Sequence, residues 1–192
     1  MRMIAATLFA LMISARPLSA GEAPRDNQKP TAPENAGKPD PFAAIRALEG
    51  HWRGTGEGEP GKSRVDRTYE FVLGGRFLQA RNHSDYPPQD KNPNGEKHED
   101  WGMFSFDNAR KKLILRQFHV EGFVNQYVLE RVSTDGREVV FVTEAIENIP
   151  RGYRARESYK LINNDSFEET FEIAAPGKAF VHDAAGQARS LW

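Results

Sequence analysis

Apolar residues recur at every second position over most of the chain, the period of strands that bury one face. Over residues 64–73, Val65, Arg67, Tyr69, Phe71 and Leu73 share a face. Gly74-Gly75 then predicts a turn, with 76–82 as the partner strand. The stretch 86–95, rich in Pro, Asn and Gly, reads as a loop. Alternation returns at 97–106, with Trp101, Met103 and Ser105 on one face, and at 112–120 after a turn at 107–110. Glu121-Gly122 connects to 123–132, and Thr134-Asp135-Gly136 predicts a hairpin turn into 138–146. Turns at 150–152 and 163–165 deliver strands at 153–162 and 167–173, and Pro176-Gly177 leads to a last strand near 179–182.

One stretch has a different period. Phe42, Ile45 and Leu48 fall three residues apart, behind Asp40 as a capping acceptor and Pro41 at the first helical position. Gly50 stops this segment, and His51-Trp52 begins a strand. The pattern therefore predicts an all-β fold. It is a single up-and-down antiparallel β-barrel of about ten strands, preceded by a short N-terminal helix. A Greek-key sandwich is the alternative.

Composition divides the chain into three parts. Residues 1–20 carry Arg2, an apolar run over 4–13 and Leu18-Ser19-Ala20, the form of an export signal peptide. The run is shorter than the roughly 20 residues a membrane span needs, so no stable membrane anchor is expected after cleavage. The expected location is periplasmic or secreted. Residues 21–39, rich in Pro, Asn and charge, read as a disordered linker, and 40–192 as the folded domain. The formal charge of −1 falls to about −3 when Arg2 and Arg16 leave with the signal, which argues against nucleic acid as a partner. With no Cys, the chain has no disulfide, no thiolate nucleophile and no Cys-based metal site.

Motifs for chemistry are sparse. Gly56 to Ser63, GEGEPGKS, fits the phosphate-loop pattern, but an alternating strand follows it rather than a helix, and Glu57 and Glu59 would repel phosphate. It reads as a Gly-rich turn. The histidines, His51, His83, His98, His119 and His182, show no paired metal spacing. His98-Glu99-Asp100 alternate faces on a strand and read as solvated edge charges, so no metal site is assigned. No G-x-S-x-G nucleophile signature is present, and no catalytic residue is assigned. The densest polar signal lies in 116–130, where either inward face would carry an ionisable group into a barrel. The candidate ligand-binding residues are Trp52, Trp101, Arg116, His119, Tyr127, Glu144, Arg156 and Glu169.

The string Gly50-His51-Trp52-Arg53-Gly54, followed by Gly56-Glu57-Gly58-Glu59-Pro60, resembles the first strand of calycins and lipocalins. It is closest to nitrobindin-like and fatty-acid-binding-protein-like barrels. The resemblance implies a closed barrel with an interior cavity. The expected function is that of an exported binder of a small, apolar or amphipathic molecule, without a cofactor. In nitrobindin-like barrels a His near the C-terminus ligates haem, which would nominate His182, although Asp183 stands where that family keeps an apolar residue. Haem binding, and a catalytic barrel using Glu144, Glu169 or His119, remain open alternatives.

Overall fold

The computed structural model describes residues 39–58 and 60–180, together with the backbone of 188–190. The expected signal peptide, most of the linker and His182 lie outside the described residues.

The alternating pattern forms nine long strands: β1 (Gly50–Gly58), β2 (Gly61–Val72), β3 (Phe77–Tyr86), β4 (Glu96–Asp107), β5 (Lys112–His119), β6 (Val124–Val132), β7 (Glu138–Glu147), β8 (Arg154–Asn163) and β9 (Ser166–Ala174). Each pairs antiparallel with the next, giving one curled up-and-down sheet. The edges β1 and β9 do not pair with each other. A three-residue strand, β10 (Ala188–Ser190), stands between them, opposite Gly54 and Thr55 on one side and Glu168 and Glu169 on the other. Two residue pairs on each side span this seam. The last strand expected near 179–182 is not formed at its described positions, Ala179 and Phe180. The chain turns at Pro176-Gly177, where Lys178 N–H donates to Ala175 O at 3.0 Å, and Arg154 Nη2 holds Lys178 O at 2.6 Å.

The short N-terminal helix is formed only in part. Residues 41–45 are turns, and only Arg46–Leu48 make a 3-10 helix. Every backbone bond in this stretch spans three residues: Ala43 to Asp40, Ile45 to Phe42, Leu48 to Ile45 and Glu49 to Arg46. The apolar spacing explains the correction. Residues three apart align on the three-residue turn of a 3-10 helix but drift around an α-helix. Phe42, Ile45 and Leu48 are all buried. Asp40 does cap: its Oδ1 accepts Phe42 N–H at 3.0 Å.

The sheet's interior is divided. At the end covered by this turn, Trp52, Tyr69, Leu78, Phe104, Leu115, Phe141, Tyr159 and Phe167 form an apolar core. Trp52 donates Nε1–H to Leu48 O at 2.7 Å and meets Phe167 edge-on, centroids 4.8 Å apart. Gly102 lies within this wall, where an added Cβ would come within 3.1 Å of Ala80 Cβ and 3.2 Å of Leu115 Cδ1. At the other end the inward positions turn polar. The described residues of the GEGEPGKS segment lie at the end of β1 and the start of β2 and open no helix. Gln89, from the 87–95 loop, pins β2 by accepting Lys62 N–H at 2.8 Å and donating to Lys62 O at 2.9 Å.

Candidate functional site

Strand alternation decides which polar groups enter the interior of the curled sheet. On β4 the inward set is His98, Asp100, Gly102 and Phe104; on β5 it is Leu113, Leu115, Gln117 and His119. The same period brings in Ser63, Val65 and Arg67 from β2, Asn82 and Ser84 from β3, Glu157 from β8 and Glu169 from β9. These side chains line a cavity of about 470 Å³, with Tyr86, Glu96, Glu121, Phe123, Phe171 and Ile173 also in its wall.

An ion pair crosses one wall. Arg67 Nε donates to Glu169 Oε2 at 2.8 Å, with both side chains almost wholly buried. Its terminal nitrogens bond His83 O at 2.9 Å and Ser84 Oγ at 3.3 Å. Burial opposes the Arg67 charge, but the Glu169 carboxylate more than offsets it and the pKa is raised. Glu157 is buried beside this pair. Burial, then the negative charge of Glu169 and Asp100, pushes its carboxyl well above the ordinary 4.5, and it hydrogen-bonds Glu169. Glu157 therefore keeps its proton to higher pH than an ordinary carboxyl beside the Arg67–Glu169 pair. Beneath them Tyr69, Tyr127 and Tyr159 are raised well above 10.0 by burial and remain neutral phenols.

A second cluster stands on β4 and β5. Asp100 Oδ1 accepts two hydrogen bonds, from Asn82 Nδ2 and Gln117 Nε2, each at 2.8 Å. Burial raises the Asp100 pKa, against these bonds and the Arg67 charge. His98 lies against it, Nε2 to Oδ2 at 3.8 Å, and its Nδ1 is 2.8 Å from Glu121 Oε1. His119 stacks on Phe123, centroids 4.0 Å apart, and its Nε2 is 3.1 Å from Asn125 Nδ2. Burial, then the neighbouring His98, lowers His119 to about 4, so its imidazole is neutral at ordinary pH.

Buried polar side-chain atoms normally find partners. Among the described residues five do not: Ser63 Oγ, Asn82 Oδ1, Gln117 Oε1, His119 Nδ1 and Asn125 Oδ1. The first four belong to residues lining the cavity.

Of the residues expected at the site, only His119 and Glu169 line it. Trp52 and Tyr127 point inward but lie in the apolar core. The other four stand outside. Trp101 is 53% exposed, and Arg116 reaches Ser105 Oγ at 3.5 Å on the outer face. Glu144 is clamped by Arg110 at 2.7 and 2.9 Å. Arg156 pairs with Glu172 at 2.6 and 2.7 Å, with Phe180 against its guanidinium. The physical reason is the alternation itself: each occupies the opposite face from the inward series. Glu144 finds its charged partner in solvent there, whereas Arg156 reaches the buried Glu172. Asp100, Asn82, Gln117, His98 and Glu157 were missed. Their signal was their even-numbered or odd-numbered step with Phe104, Leu78, Leu115 and Tyr159. The reading of His98-Glu99-Asp100 as edge charges is corrected in part: Glu99 faces outward, while His98 and Asp100 share the inner face.

Compared with known proteins, the chain matches no family model and none of the curated proteins.

Proposed function

We propose that the protein is an exported binder of a small molecule, held in the polar end of a ten-stranded, calycin-like barrel whose ring the C-terminal segment completes. The observation that carries this reading is the convergence of four partnerless buried polar atoms on one cavity of about 470 Å³. Donors and acceptors left unmet in a folded wall are met by what enters the cavity. The ligand is amphipathic: Ser63, Asn82, Gln117 and the Arg67–Glu169 pair receive its polar end, and Phe123, Phe171 and Ile173 contact its apolar part. Export rests on the N-terminal 20 residues, and no resident cofactor is part of the reading.

Native mass spectrometry of protein purified from its own host tests the reading, together with titration by phenylnaphthylamine, a neutral amphipathic fluorophore. The expected result is a co-purifying mass or saturable one-to-one probe binding. Val65→Trp, which fills the cavity from its wall, should weaken probe binding at least about tenfold, or roughly 1.4 kcal/mol, with the circular dichroism unchanged. Probe binding indifferent to Val65→Trp would sink the proposal. The haem alternative has its own arm: a one-to-one shifted Soret band on adding haemin, abolished by His182→Ala, would replace the amphipathic ligand with haem.

A further inference from the structure

Two strands bring three metal-ligand side chains together. Asp100 and His119 are directly opposed in the β4–β5 register, and His98 is two residues from Asp100 on the same face. One donor atom from each lies within 4.8 Å of the others. We propose that His98, Asp100 and His119 form a binding site for a divalent transition-metal ion of the Zn(II) class, in the wall of the cavity.

The surroundings leave one donor on each residue. Glu121 at 2.8 Å takes the Nδ1–H of His98 and so leaves the Nε2 lone pair, which already faces Asp100 Oδ2 at 3.8 Å. Asn82 and Gln117 both occupy Oδ1 of Asp100 and leave Oδ2. Asn125 sits at Nε2 of His119, and Nδ1 is buried without a partner. Turning the Asn125 amide over, which exchanges Nδ2 for the partnerless Oδ1, makes its carbonyl the acceptor of Nε2–H, and Nδ1 then presents its lone pair. Carboxylate or amide partners on the far atom of each ligand are the usual support of a metal site, where they fix tautomer and orientation. Stacking on Phe123 further fixes the His119 ring.

Two imidazoles and one carboxylate suit zinc and its neighbours rather than calcium or magnesium, which take oxygen ligands. Bonds of about 2.0–2.1 Å place tetrahedral ligand atoms roughly 3.3 Å apart, so the three donors must close by up to about 1.5 Å, within the reach of side-chain rotation. Three protein ligands leave a fourth position, and it opens on the cavity. The proposal stands on the side chains alone and does not need the small-molecule reading.

The test uses the full chain, treated with chelator and dialysed, then titrated with Zn(II) in a calorimeter and with Co(II) in a visible spectrometer. The expected result is one equivalent bound, Co(II) d–d bands of low coordination number, and a melting temperature that rises with metal. His98→Gln and His119→Gln should each weaken binding at least about a hundredfold. Glu121→Gln, which removes only the support of His98, should weaken it about tenfold or more. His83→Gln, on the outer face, should change nothing. Absence of stoichiometric binding by the parent protein would overturn the site. So would binding that persists in His98→Gln and His119→Gln variants whose circular dichroism matches the parent. The metal alone is the probe, so this outcome is separable from any result with phenylnaphthylamine.

Discussion

Glu157 is the residue whose protonation most directly couples the site to stability. Its carboxyl is held protonated by burial and by Glu169, so its folded pKa lies above the ordinary 4.5. Below that value both folded and unfolded chains carry the proton, and Glu157 contributes no pH dependence. As pH rises past 4.5 the unfolded chain releases its proton while the folded one keeps it. Stability is then lost, by at most about 1.4 kcal/mol per pH unit, until the folded pKa is reached. Glu157→Gln keeps the volume and a hydrogen-bond donor but cannot ionise. Its unfolding free energy relative to the parent should therefore increase between pH 4.5 and 7.5, as measured by urea denaturation. Parallel curves for the two proteins would show that Glu157 is already ionised in the fold. Arg67 differs, because its charge is balanced by Glu169, and truncating either would strand the other in a buried wall.

Among elements, the 3-10 turn and β1 act as a unit through Trp52. The indole N–H closes on Leu48 O, its ring meets Phe167, and Phe42, Ile45 and Leu48 complete the apolar end. Trp52→Ala should cost about 3–5 kcal/mol in unfolding free energy, the range for truncating a large buried aromatic side chain. A near-neutral result would mean that the turn does not seal that end. The strands themselves were legible in the sequence, because a period of two and Gly-rich turns are local signals. Their facing was not. On β4 the outward face carries Trp101 and Met103 while the inward face carries His98 and Asp100, so hydropathy there points the wrong way. A cavity wall reverses the usual rule of apolar inside. The cue that survives is phase: Asp100 is in step with Phe104, and Glu157 with Tyr159. The type of the short helix was not legible for a different reason, since three-residue spacing fits both helical types over so short a stretch.

At the scale of the molecule, the interior of the curled sheet is solid at one end and hollow at the other. That difference has an elastic consequence. Packed side chains resist compression, whereas a lined void yields, and pressure favours states that eliminate internal volume. Under hydrostatic pressure the two ends should therefore respond unequally. Amide shifts of Ser84, His98 and Gln117 should bend with pressure, while those of Trp52, Leu78 and Phe104 should change linearly, in NMR spectra recorded below the unfolding pressure. Uniform linear shifts at both ends would mean that the hollow is as stiff as the core. A bound molecule or ion should straighten the curved set, because an occupied void has nothing left to give up. The hollow end of this curled sheet is then its compliant end, and occupancy stiffens it.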